Sequence, residues 1–252
     1  MSPSSVLQVN LDERGVGTLT LNRPHVRNAL DESLISSLQT HLNIWQKNDK
    51  CRVLVIQGAG KSFCAGADLH WMQKMIHFTY EENLQEAQTL ARLLETLAAF
   101  PIPTVAVVHG HVYGGALGLV AATDIAIAAP DTKFCFSEVK LGLIPAVISP
   151  YVLEAMGRRL AMPLMLTAAP FSAEQAMSWG LVHKIGSPGI LLEETLQHLL
   201  QVSPSAQRAL KNLVRGMPAN RADQMAYTGE QLAKIRISAD AQQRMKAFFK
   251  TS

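Results

Sequence analysis

Apolar and polar residues alternate over Val6 to Leu11 and again over Gly17 to Leu21, the period of half-buried strands, and Asp12-Glu13-Arg14-Gly15 between them reads as the turn of an opening hairpin. The period then lengthens. Asp31 is placed to cap a helix whose apolar positions Leu34, Ile35, Leu38, Leu42 and Ile44 run to Trp45, after which Arg52 to Gln57 returns to strand. A second long helix is expected from about Glu81 to Ala99, with Leu84, Ala87, Leu90, Ala91, Leu94 and Leu97 on one face, and Phe100-Pro101-Ile102-Pro103 stops it. The pattern continues with a strand at 104–109, a short small-residue helix from about Gly114 to Ala122, a strand at 124–129 and another near Lys133 to Ser137. Such alternation calls for an α/β fold in which helices cover a sheet, although periodicity alone does not give the strand order. Gly186-Ser187-Pro188-Gly189 is the clearest break in composition. Beyond it Leu191 to Val202, Ser205 to Val214, Ala222 to Arg236 and Ala239 to Phe249 read as helices, so residues 1–188 are expected to form a core and 189–252 a helical region.

Composition narrows the class. A chain of 252 residues, 48% hydrophobic and 17% charged, can bury a substantial core. Its 23 Lys and Arg stand against 20 Asp and Glu, and the positive residues are scattered, which argues against nucleic acid as a partner and for a few cations meeting the phosphates of a small ligand. No apolar stretch approaches the roughly 18 to 20 residues needed to cross a bilayer, and Met1 to Ser5 lacks the features of a signal peptide, so no membrane association and a cytoplasmic location are expected. Cys51, Cys64 and Cys135 are odd in number and show no metal-ligand spacing, so they read as reduced packing residues and no metal is called for.

Candidate chemistry sits in two small-residue turns that follow strand-like runs: Phe63-Cys64-Ala65-Gly66-Ala67-Asp68-Leu69 and His109-Gly110-His111-Val112-Tyr113-Gly114-Gly115-Ala116-Leu117-Gly118. Each turn is able to expose a backbone N–H, and two such donors make an oxyanion hole, because small side chains admit a substrate carbonyl close to the backbone. Gly58-Ala59-Gly60-Lys61-Ser62 imitates the end of a phosphate-binding Walker loop, but the first glycine that loop requires falls on Val55.

Together with Asn22-Arg23-Pro24-His25-Val26-Arg27-Asn28-Ala29-Leu30 and Phe136-Ser137-Glu138-Val139-Lys140-Leu141-Gly142-Leu143-Ile144-Pro145, these turns resemble the enoyl-CoA hydratase/isomerase (crotonase) family, over nearly the whole chain. The resemblance implies a spiral of repeated strand-strand-helix units with a C-terminal helical trimerisation region, and a homotrimer or dimer of trimers. It implies that the N–H groups of Ala67 and Gly115 bind the thioester oxygen of an acyl-CoA, with Gly114 in the same turn. Glu138 matches the acid that moves a proton at the acyl chain, and its neighbours Phe134, Phe136, Val139 and Leu141 suit partial burial. Val26 and Arg27 are expected near the CoA phosphates, with Lys61 as a further phosphate candidate. The Ala65 carbonyl is expected at the adenine amine, and Asp68 and Leu69 beside Ala67 in the pocket. Coenzyme A enters as part of the substrate, and no other cofactor is needed. Ala247-Phe248-Phe249-Lys250 resembles the tail that reaches a neighbouring CoA site, with its lysine in a different register.

Gly118 departs from the pattern of two-acid hydratases, which carry a second glutamate at that place. His111, Tyr113, Thr123, His70, Trp71 and His77 are nearby polar or aromatic residues that stand as candidates to border the acyl pocket. With glycine at 118, the stretch 137–150 particularly resembles bacterial methylglutaconyl-CoA hydratases. The leading expectation is therefore hydration of a 2-enoyl-CoA to a 3-hydroxyacyl-CoA, on a branched substrate such as 3-methylglutaconyl-CoA. Isomerisation of a 3-enoyl-CoA with Glu138 as the single proton shuttle stays open, and a noncatalytic scaffold is a more distant alternative.

Overall fold

The computed structural model of the protein describes residues 5–251. Met1 to Ser4, part of the stretch read for a leader, lie outside the described residues, as do Ser252 and the side chain of Lys250 in the tail.

Strands β1 (Leu7–Leu11) and β2 (Val16–Leu21) form the expected antiparallel hairpin, with Leu7 opposite Leu21. The Asp12 carboxylate closes the turn by accepting from the Val16 and Arg14 N–H groups at 2.8 and 3.0 Å, and Gly15 takes the left-handed conformation there. Strands β3 (Val53–Gly58), β4 (Thr104–Val108), β5 (His111–Tyr113), β6 (Ile125–Ala128), β7 (Lys133–Cys135), β8 (Phe171–Ser172) and β9 (Lys184–Ile185) follow. They make two sheets, one of order β1-β2-β3-β4-β6-β9 that is parallel from β2 onward, and a smaller one of order β5-β7-β8. The units β4–β5 and β6–β7 step from the large sheet to the small one, and β4–β5 then enters helix α4, the strand-strand-helix repeat that the resemblance implied.

The helices are α1 (Glu32–Trp45), α2 (Leu69–Met75), α3 (Tyr80–Ala98), α4 (Gly115–Ala121), α5 (Ser149–Met156), α6 (Arg158–Thr167), α7 (Ala173–Ser178), α8 (Pro188–Gln201), α9 (Pro204–Arg215), α10 (Arg221–Arg236) and α11 (Ala239–Thr251). Among the described residues no helix is long and apolar enough to cross a membrane. Strands β3, β4 and β6 of the large sheet are buried on both faces, so their successive side chains enter different cores. Val53, Val55, Val105, Val107 and Ile127 point to one face, where Leu196 of α8 packs on them. Leu54, Ile56, Ala106, Val108 and Ala126 point to the other, against the main core that includes Leu34 and Leu38 of α1 and Leu94 and Leu97 of α3. The break in composition at 186–189 is thus no break in packing, because α8 covers a sheet face.

Two details of the apolar pattern come out differently. Ile44 is 54% exposed although it follows the stripe of α1, and Leu84 is 44% exposed on α3. The buried residues of α3 are Leu93, Leu94 and Leu97, all in its C-terminal half. Its N-terminal half leaves the core and walls a cavity instead.

Candidate active site

Parallel pairing of β3 with β4 sends both chains out at the same sheet edge, where their following segments meet. Cys64 N–H donates to His111 O, and Tyr113 N–H donates to Cys64 O, each at 3.1 Å, so the two small-residue turns lie side by side. The Leu30 N–H donates to Gly66 O and the Asp68 N–H to Leu30 O, both at 2.8 Å. These bonds flank Ala67 and leave its own N–H without a backbone acceptor among the described residues. Gly115 opens α4, and an N–H in the first turn of a helix has no partner within it.

Glycine is required at two places in this arrangement. Gly66 has φ +101° and Gly114 has φ +54° with ψ −127°, conformations a side chain would strain. A Cβ on Gly114 would also lie 3.4 Å from Glu138 Oε1, so the missing side chain lets the carboxyl stand against the start of α4. Glu138 begins a 3-10 turn, Glu138–Leu141, that follows β7, and its Oε2 is buried without a hydrogen-bond partner. Burial pushes the carboxyl above its ordinary range, partly offset by a bond from its own backbone N–H.

Ala67, Gly115 and Glu138 line one cavity of about 620 Å³. Its remaining wall is mostly apolar, built by Leu30 and Ile35, by Trp71, Met72 and Met75 of α2, by Ala87 and Leu90 of α3, and by Leu143 to Ile148. Sequence reasoning missed most of that wall, since those residues carry no signal that separates a cavity lining from ordinary core. Of the residues weighed around Gly118, Trp71 borders the cavity; His111, Tyr113, Thr123, His70 and His77 do not. His111 instead meets Ser62 Oγ at 3.2 Å and stacks edge-on against Tyr113.

Gly118 is fully enclosed. A Cβ there would lie 2.5 Å from Ile148 Cγ2 and 2.9 Å from Leu94 Cδ1. The room for a carboxylate side chain at position 118 is therefore already filled by apolar atoms.

The Asn22 to Leu30 segment supports the oxyanion turn. Asn28, buried and left-handed at φ +55°, donates through Nδ2 to Ala59 O and Ser62 O at 2.8 Å each and fixes the loop between them. Arg23 bridges the Asp31 and Asp68 carboxylates, both at 2.9 Å, and donates to Ala29 O. Asp68 also caps α2 by accepting from the His70 and Trp71 N–H groups. Burial tends to raise the Asp68 carboxyl, but Arg23 and those N–H groups hold it below its ordinary range. Asp68 is thus a structural anchor as well as a wall of a second cavity of about 470 Å³, which it shares with Arg23, His25, Val26 and Lys74. The Ala65 carbonyl accepts no hydrogen bond among the described residues. Arg27 and Lys61 are exposed, and Leu69 is 74% exposed and does not border the 620 Å³ cavity. Cys64 is inert packing, its thiol pushed up to about 12 by full burial.

Comparison with known proteins agrees with this geometry. The family model for enoyl-CoA hydratase/isomerase matches residues 12–251. The chain is similar to the solved structure of an enoyl-CoA hydratase from Shewanella pealeana at 40% identity and a TM-score of 0.95, covering 98% of this chain and 94% of that one. It is 36% identical to an enoyl-CoA isomerase/hydratase of Mycosarcoma maydis over 82% of this chain and 78% of the relative. It is also 32% identical to the 1,2-epoxyphenylacetyl-CoA isomerase of Escherichia coli over 84% of this chain and 82% of the relative. The chain belongs to the enoyl-CoA hydratase/isomerase family.

Proposed function

We propose that the protein is an enoyl-CoA hydratase that adds water to a 2-enoyl-CoA thioester to give a 3-hydroxyacyl-CoA. The observation that carries this reading is that Ala67, Gly115 and Glu138, whose Oε2 has no partner, line one largely apolar cavity. The two N–H groups hold the thioester oxygen as it gains charge, and Glu138, whose proton affinity burial raises, delivers a proton to C2. In this reading Val26 and Lys74 of the second cavity lie at the CoA phosphates, supplemented by Arg27 and Lys61, while Arg23 stays paired with Asp31 and Asp68. The Ala65 carbonyl accepts from the adenine amine, and Asp68, through its cap on α2, and Gly114, through its backbone conformation, support the turns that carry Ala67 and Gly115. Proton transfer and oxyanion stabilisation suffice for this reaction, so no cofactor is invoked beyond the CoA that the substrate carries.

3-Methylglutaconyl-CoA is the branched substrate to test beside crotonyl-CoA. Incubation in water labelled with heavy oxygen is expected to yield a 3-hydroxyacyl-CoA carrying the label. A product of unchanged mass from a 3-enoyl-CoA, with no label taken up from any 2-enoyl-CoA, would instead establish the isomerase. One observation favours that second reading: Ile148 and Leu94 occupy the room where a second acid would reach from position 118.

We also propose assembly as a homotrimer or dimer of trimers. Helix α10 buries none of its residues in the chain, and Met225, Leu232 and Ile237, with Leu141 and Ile144 near the site, are exposed apolar side chains. Light scattering on the purified protein at micromolar concentration tests this, and a monomer would contradict it.

A further inference from the structure

With position 118 closed, we propose that Glu86 of α3 is the second acid of this pocket and takes the proton from the water that adds to C3 of the bound 2-enoyl thioester. The inference rests on the hydratase reading. Three observations carry it. First, Glu86 and Glu138 line the same cavity from separate elements, and no Lys or Arg lines it with them. Second, the register of α3 sets Glu86 on the helix face that carries Leu90 and Leu94 along the pocket. Leu94 lies where a Gly118 side chain would begin, and Leu90 lies 3.7 Å from a Cβ on Gly115. Residues four apart share a helix face, about 5.4 Å per turn. Glu86 therefore stands one turn beyond the residue that packs on the oxyanion donor.

Third, Glu86 separates two cavities of different character. A smaller cavity of about 320 Å³ shares Ile35, Trp71 and Glu86 with the acyl cavity, but its other lining includes Glu32, Ser36, Glu82, Gln85 and Thr89. In the proposal, water reaches the acyl cavity from that side past Glu86. Among the described residues Glu86 makes no hydrogen bond or ion pair, and burial alone raises its proton affinity, which strengthens it as a base.

The step balances as follows. Glu86 carboxylate accepts a proton from water while the water oxygen bonds to C3. The C2–C3 π pair moves toward the thioester carbonyl, whose oxygen is held by Ala67 and Gly115, and C2 then takes the Glu138 proton. Glu86 afterwards loses its proton to solvent through the polar cavity, and Glu138 regains one.

The test compares wild type, Glu86→Gln, Glu86→Asp and Glu138→Gln in two assays on the full chain. One is hydration of crotonyl-CoA and 3-methylglutaconyl-CoA. The other is deuterium exchange at C2 of saturated butyryl-CoA, which uses Glu138 and the oxyanion hole but no attacking water. Glu86→Gln is expected to lower kcat for hydration by at least about 100-fold, with little change in KM and with C2 exchange near the wild-type rate. Glu86→Asp should fall between, and Glu138→Gln should lose both activities. Hydration by Glu86→Gln at the wild-type kcat would overturn the proposal, as would a change in KM alone or an equal loss of hydration and exchange. If Glu86→Gln does not fold, hydration by Glu86→Asp at the wild-type kcat would likewise overturn it. A wild-type enzyme that isomerises a 3-enoyl-CoA but hydrates neither 2-enoyl-CoA would sink the hydratase reading and the proposal with it, an outcome distinct from the others.

Discussion

Gly115 and Gly118 stand three residues apart on the same short helix and have opposite surroundings. Gly115 opens onto the cavity and offers its N–H, with Leu30 and Leu90 as the nearest side chains. Gly118 is sealed beneath Ile148 and Leu94. The contrast extends to the two sides of the pocket. One side works through backbone, in the turns at 64–67 and 113–115, where glycine conformations and loop hydrogen bonds aim N–H groups. The other is built from side chains on α2, α3 and residues 143–148, which wall the cavity. In the proposed reaction the first side holds the thioester oxygen and the second shapes the acyl pocket.

The comparison breaks most visibly at Glu138. Glu138→Gln keeps the shape of the side chain and removes its proton exchange, so kcat is expected to fall by about 10²- to 10⁴-fold with little change in KM. Steady-state kinetics on the preferred acyl-CoA checks this. Gly115→Pro comes next. Proline is tolerated at the first position of a helix yet has no N–H, so the substitution deletes one oxyanion donor and keeps the start of α4. A loss of about 10²- to 10³-fold in kcat is expected, with the folded state retained by circular dichroism.

Gly118→Ala tests the sealed position. Its Cβ would overlap Ile148 Cγ2, so the variant is expected to lose about 1–3 kcal/mol of stability by denaturant titration. Combining it with Ile148→Ala should recover part of that loss. The smallest effect is in the pH dependence of stability. Burial raises the folded-state proton affinity of both Glu86 and Glu138, so each favours folding while protonated and loses that contribution as pH rises through its folded pKa. Glu86→Gln and Glu138→Gln should therefore melt slightly above wild type at pH 8, with the difference vanishing below the ordinary carboxylate range. Thermal melts across that span decide it.

What the sequence makes legible follows the same division. The hairpin, α1 with its Asp31 cap, the parallel strands and the four C-terminal helices announce themselves by period and by their end signals, because local chemistry governs them. The oxyanion turns are legible for a related reason: backbone chemistry there demands small residues at fixed places. The acyl wall is not. Met72, Met75 and Leu90 look like any core stripe, and Glu86 looks like a solvated charge in Glu81 to Glu86, until α3 crosses the cavity. The absence of an acid at Gly118 is plain in the sequence, but its cause lies thirty residues away at Ile148, a packing relation no local pattern carries. The short strands β5, β8 and β9 escape notice for want of length, and helices α2, α5, α6 and α7 also find no reading in the pattern.

The enone-thioester absorbance of the purified enzyme offered crotonyl-CoA, 3-methylglutaconyl-CoA and a 3-enoyl-CoA in turn separates hydration from isomerisation. A fall in absorbance with a conjugated substrate, at a rate that Glu138→Gln abolishes, is the predicted result. Absorbance that holds steady with both conjugated substrates and rises only from the 3-enoyl-CoA would contradict it.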